Sequence, residues 1–200
     1  MILCSVLIPT RARPARLVET MHSILDTMRD PARVEFCLRI DDDDLVTHYS
    51  MDGILAAHTN IGFRIAPRVG YDHMGAMAQD CVNLAQGRWC WLVDDDATVE
   101  GTGFWDEQLA AISPEHNVAQ CEFYHLCQSK YPSGSCGPVG MIVPRNSWVG
   151  HADLATAGVA DDFFRDTLVG KLGFHVNLLK GMTYRHQRDG DHELREHRKL

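Results

Sequence analysis

The chain has no stretch approaching the ~20 consecutive apolar residues that span a bilayer, which leaves only peripheral contact with a membrane. Positive charge is also scarce. Nineteen Lys and Arg against 27 Asp and Glu leave −8 with histidine neutral, which disfavours a blanket electrostatic grip on a polyanion. The seven cysteines form no CxxC pair and no repeated spacing, and an odd number suits reduced thiols better than a disulfide framework, so a cytoplasmic setting is expected. The apolar run from Met1 to Pro9 is short, has no basic residue before it and is followed by arginines, so it reads as a buried strand and not as a leader peptide. The P-loop signature, the GxGxxG fingerprint and the GxSxG elbow are all missing. What is present is an ordinary globular composition: 200 residues, 45% hydrophobic and 23% charged, enough for one domain with a substantial core.

Periodicity organises the chain as alternating strands and helices. Ile2 to Ile8 reads as a strand ended by Pro9, and Pro14 to Met28 as an amphipathic helix carrying Leu17, Met21, Ile24, Leu25 and Met28 on one face. Val34 to Ile40 is a second strand, running into Asp41–Asp44, and Gly62 to Pro67 a weaker third. A helix starts at Met74, with Gly87 as its cap, and Trp89 to Val93 follows as a buried strand. The second half predicts helices at about Phe104 to Ile112 and Asp162 to Leu172, and strands near Val118 to Tyr124, Pro138 to Val143 and Phe174 to Leu179. There is no linker and no internal repeat. This order predicts one α/β domain with a mainly parallel sheet flanked by helices, whose ligand crevice lies at the carboxyl ends of the strands. Residues 1–100 build the nucleotide side, 101–186 the opposite side, and 187–200 form a slightly basic tail.

The strongest chemical signal is the triplet Asp94, Asp95 and Asp96, which emerges directly from Trp-Cys-Trp-Leu-Val. In extended chain alternate side chains share a face, so Asp94 and Asp96 can converge while Asp95 points elsewhere. Crowded carboxylates favour a cation between them, and oxygen ligands favour Mg²⁺ or Mn²⁺ completed by substrate phosphates. Neither acidic run has the Gly and Glu spacing of a calcium loop. The last histidines, His192 and His197, are five residues apart, about 140° around a helix, which excludes an HExxH zinc site. Trp89 and Trp91 read as core anchors, whereas Trp148 is freer to meet an acceptor.

Four blocks in order resemble the family 2 glycosyltransferases of GT-A fold. They are Ser5–Pro14 with Leu17 and Ser23–Leu25; Gly70–Asp96; Gly137–Arg145; and Ala160–Arg165 through Gly173–Phe174. The resemblance implies that Asp96 holds a metal and that Asp94 contacts the metal or the donor ribose, with Asp95 beside them. It places Pro9, Thr10, Arg11 and Arg13 where the first loop meets the nucleotide, and Asp41 or Asp42 against the uracil or ribose. Asp41–Asp44 departs from the family's usual Asp-Asp-Gly-Ser type of ending. Of the acidic pair opening the late helix, Asp161 is expected to cap and Asp162 to act as general base, and His186 as a further metal ligand.

The expectation is therefore a Mn²⁺- or Mg²⁺-dependent transfer of sugar from a nucleotide-diphosphate donor, a UDP-sugar, to an acceptor hydroxyl with inversion. The acceptor could be a glycan, a lipid head group, a protein or, through the basic tail, a hydroxymethylated base in DNA. The rivals are a nucleotidyltransferase of the same fold, which would want a glycine-rich loop that this chain lacks, and a non-catalytic module binding cations or nucleotides.

Overall fold

The computed structural model describes residues 1–58, 60–70, 73–125, 140–148 and 165–186. The elements are β1 (Cys4–Thr10), α1 (Pro14–Asp26), β2 (Val34–Asp41), α2 (Leu45–Ala57), β3 (Ile61–Ala66), α3 (Met74–Val82), β4 (Trp89–Leu92), β5 (Ala97–Gly101), α4 (Trp105–Ala110), β6 (Asn117–His125), β7 (Met141–Pro144) and β8 (His175–His186). A π-helical turn covers Arg165–Lys171. Of the late helix expected from Asp162, only this part lies within the described residues. Asp161, Asp162, residues 137–139 of the third block and the tail 187–200 lie outside them.

The strands form one sheet in the order β3-β2-β1-β4-β7-β6-β8-β5. The sheet is mixed. The β3-β2-β1-β4 half is parallel, as expected of strands joined through helices, but β7 runs antiparallel to both β4 and β6, and β5 antiparallel to β8. β1 runs through Pro9, which is tolerated because pairing with β4 stops at Leu7–Leu92 and leaves no ladder bond there for the missing N–H.

Alternation along the central strands divides the core into two layers. Val6, Ile8, Trp89 and Trp91 face α1, α2 and α4, where Leu17, Met21, Ile24, Met51 and Trp105 pack against them. Leu7, Cys37 and Cys90 face α3, meeting Ala78, Cys81 and Val82. Each fully buried Leu, Ile or Met contributes roughly 1.5–3 kcal/mol of transfer free energy, so the layers and not helix propensity hold α1 and α3 in place. Trp148 belongs to the second layer at 1% exposure, contrary to the expectation of an acceptor-facing ring. The turn Arg145–Ser147 folds it inward, anchored by Arg145 Nη1 donating to the Ala85 carbonyl at 2.8 Å.

Gly87 lies beyond the end of α3 and works by close approach rather than as its cap. A Cβ there would sit 2.6 Å from the Ser5 nitrogen, while its N–H donates to Ser5 Oγ at 2.8 Å and to the buried Glu35 at 3.1 Å. The five described cysteines are buried free thiols, and burial pushes that of Cys121 up to about 12, so they are poor nucleophiles. Among the described residues no helix is long and apolar enough to cross a membrane.

Candidate functional site at the carboxyl edge of the sheet

β1, β2 and β4 end side by side, and the chemistry collects on the residues just past each end. The β1–α1 loop, Arg11–Arg13, sits between the two acidic runs. Asp95 is buried and holds this loop from one side: Thr10 Oγ1 donates to Asp95 Oδ2 at 2.8 Å and the Arg11 N–H reaches the same oxygen at 3.4 Å. Asp44, also buried, holds it from the other side by accepting the Ala12 N–H at 2.8 Å, and it caps α2 by accepting the Thr47 N–H at 3.1 Å. Between the two anchors Ala12 takes a left-handed backbone at φ 56°, an uncommon state for a residue with a Cβ. The flanking arginines consequently go opposite ways, Arg11 to the first acidic run and Arg13 to the second.

On the first side Asp41 lies between two guanidiniums. Arg39, 2% exposed within β2, pairs with Asp41 Oδ1 and donates to the Pro67 carbonyl at 2.6 Å, while Arg11 Nη1 meets Asp41 Oδ2 at 2.9 Å. Arg11 also pairs with Asp43, which hydrogen bonding to that guanidinium holds below the usual carboxylate range. The same bonds raise the Arg11 pKa, led by Asp43, against the opposing effect of burial. Asp42 is exposed and accepts the Arg68 N–H at 3.2 Å.

On the second side burial alternates, with Asp95 buried and Asp94 and Asp96 half-buried. Arg13 forks across two of the three: Nη2 is 2.6 Å from Asp95 Oδ1 and Nη1 is 2.6 Å from Asp96 Oδ2. Burial opposes the charge of Arg13, but Asp95 and Asp96 outweigh it and its pKa is raised. Burial pushes Asp95 up to about 6, with Asp96 and Asp94 adding to the rise and Arg13 and Thr10 pulling against it. Asp94 is set by Tyr184 of β8: its N–H donates to the tyrosine oxygen at 3.1 Å, and the tyrosine hydroxyl is 3.4 Å from Asp94 Oδ2. His186, at the end of the same strand, lies in register opposite Ala97, one residue beyond Asp96.

Of the residues expected from sequence, the structure brings Thr10, Arg11, Arg13, Asp41, Asp42, Asp94, Asp95 and Asp96 to one edge, with Pro9 inside β1 beneath them and the backbone of His186 adjacent. Arg39, Asp44 and Tyr184 were not anticipated. Arg39 carries a signal, a lone guanidinium inside an apolar strand that ends in aspartates; Tyr184 carries none, because its relation to Asp94 depends on the pairing of distant strands.

This architecture is shared with solved structures. The fold is GT-A. Staphylococcus aureus TarS 1-349 in complex with UDP-GlcNAc superposes with a TM-score of 0.64 at 15% identity over 96% of this chain and 60% of that one. The complex of TarS 1-349 with UDP gives 0.63 at 16% identity over 92% and 60%. The chain thus spans 60% of the length of these GT-A structures. No protein-family model and no curated protein matches the sequence.

Proposed function

We propose that the protein is a divalent-metal-dependent glycosyltransferase that moves a sugar from a uridine-diphosphate donor to an acceptor hydroxyl with inversion. The observation that carries this reading is the meeting, at the carboxyl edge of a GT-A sheet, of Asp94–Asp96 with the arginine loop and Asp41–Asp43. TarS 1-349 was solved with UDP and with UDP-GlcNAc, which supports a uridine donor here.

The donor set fits a hard cation. Among the described residues no three carboxylate, imidazole or thiolate side chains cluster closely enough to hold an ion by themselves. The two half-buried carboxylates of Asp94 and Asp96 suit a magnesium-type ion, which takes one or two protein carboxylates and completes its shell with phosphate oxygens and water. Asp96 and Asp94 are the ligands we assign. When bound, the ion supplies charge neutralisation for the diphosphate and for the negative charge it gains on leaving.

The chain's own groups divide the remaining work. Asp41 already gives one oxygen each to Arg39 and Arg11, so Asp42, exposed beside Arg68, is the better contact for the uracil or ribose. Arg11 and Arg13 offer planar donor pairs to phosphate oxygens. Tyr184 fixes the height of Asp94. Asp162, assigned on the sequence resemblance and outside the described residues, takes the acceptor proton as the hydroxyl attacks the anomeric carbon.

The test is release of UDP from a panel of UDP-sugars, UDP-GlcNAc included, by wild type and Asp96→Ala, each shown to be folded by circular dichroism. Manganese-dependent release that is lost in the variant is expected. A folded wild type that releases nothing from any donor, or releases equally after chelation, overturns the reading. Transfer of a nucleoside monophosphate in place of the sugar would reassign the chemistry to a nucleotidyltransferase.

A further inference from the structure

Arg13 holds the acidic triplet in a geometry with consequences beyond gripping a phosphate. Its fork spans two carboxylates of neighbouring residues, with 2.6 Å contacts to each. The side chains of Arg13 and Asp96 are 21% and 17% exposed and that of Asp95 only 4%, so the contacts are screened far less than those of a surface pair. The backbone delivers the guanidinium to this place: the loop is anchored through Ala12 to Asp44 and through Thr10 and Arg11 to Asp95, and Pro14 begins α1 immediately after Arg13.

A guanidinium on Asp96 Oδ2 and a divalent ion on the same carboxylate are both cations seeking the same negative charge at close range. They repel each other across a few ångströms in a site where water screens poorly. We propose that Arg13 is the resident counter-cation of the triplet and competes with the divalent ion for Asp96, turning to the donor diphosphate when the ion takes its place. This rests on the assignment of Asp96 as a metal ligand under the proposed function.

Competition makes a signature that a merely structural arginine does not. Removing the guanidinium strengthens metal binding in the absence of nucleotide, because Asp96 loses a rival cation and gains negative potential. The same change weakens nucleotide binding in the absence of metal, because the diphosphate then faces the acidic edge without its cation. Loss of local structure would weaken both.

The experiment uses the full chain and two readouts besides turnover. Free Mn²⁺ is titrated by electron paramagnetic resonance without nucleotide, and UDP by calorimetry in EDTA, for wild type, Arg13→Gln, Arg13→Lys and the distant control Arg29→Gln. Arg13→Gln is expected to bind Mn²⁺ roughly tenfold more tightly and UDP in EDTA roughly tenfold more weakly. Arg13→Lys, which keeps the charge but cannot fork, is expected to fall between, and Arg29→Gln, past the opposite end of α1 where Arg29 pairs with Glu107, to match wild type. Unchanged or weaker Mn²⁺ binding in both Arg13 variants, with their thermal melting intact, overturns the proposal; should Arg13→Gln fail to fold, Arg13→Lys matching wild type does the same. A wild type that binds Mn²⁺ competitively with Arg13 but never binds UDP leaves the counter-cation in place and overturns the transferase reading instead.

Discussion

The two acidic runs, Asp41–Asp44 after β2 and Asp94–Asp96 after β4, look alike in sequence and are built differently. In each, a buried carboxylate, Asp44 or Asp95, holds the backbone of the arginine loop, and a more exposed one, Asp43 or Asp96, pairs with one of its guanidiniums. In the first run Asp41 is clamped from within the sheet by Arg39, a buried guanidinium on its own strand, and Asp44 is committed to two backbone N–H groups. In the second run the buried member, Asp95, is met by Arg13 from the far end of a long side chain, and burial keeps its proton affinity high. The first run is thus braced from within the sheet, whereas the second, under the proposed function, is where a divalent cation would be held.

If the first run is a brace, breaking it should act on stability before activity. Arg39→Met leaves Asp41 buried against Arg11 alone and is expected to destabilise the protein by about 3–5 kcal/mol in urea unfolding. The double change Arg39→Met with Asp41→Leu should recover much of that loss. Full stability in the single variant would show that the clamp is ornamental.

The second run should show the opposite balance. Asp96→Ala is expected to lower UDP-sugar turnover by at least about a hundredfold, with melting temperature little changed. Asp43→Ala, on the exposed rim of the first run, should lower it far less. Equal losses in the two variants would erase the distinction between the runs.

Acid titration separates them further. Native Asp95 binds its proton more tightly than the unfolded chain does, so its contribution to stability is greatest below about pH 4, falls as pH rises towards 6, and is level above that. Measured against Asp95→Asn without divalent metal, wild type should therefore lose roughly 2 kcal/mol of relative stability over that window. A difference that stays flat with pH would place Asp95 in the ordinary carboxylate range. The smallest effect is expected at Asp44→Ala, about 1 kcal/mol for a lost helix cap, with UDP binding reduced through the released Ala12.

Much of the parallel half was legible because β1, β2 and β4 are apolar runs, the last two stopping at aspartates, and α1 carries a clean face of Leu17, Met21 and Ile24. α2 escaped notice: Leu45, Val46 and Tyr49 are exposed while Thr47 is buried, so apolar periodicity points the wrong way. β5 escaped as well, since Ala97 and Val99 alternate with polar residues over too few positions to stand out from the turn before it. At the site, the aspartates and arginines were visible as residue types, but their pairing was not. Which of Arg11 and Arg13 meets which run is decided by a left-handed Ala12, and Tyr184 reaches Asp94 only because β8 pairs with both β6 and β5.

The most direct measurement is anomalous diffraction from crystals of the protein grown with MnCl₂ and UDP. The account predicts a manganese peak within coordination distance of an Asp96 oxygen and of the diphosphate, with Arg13 turned from Asp96 towards the phosphates. A manganese ion bound away from Asp94 and Asp96, with Arg13 still forked across Asp95 and Asp96 beside bound UDP, would contradict it.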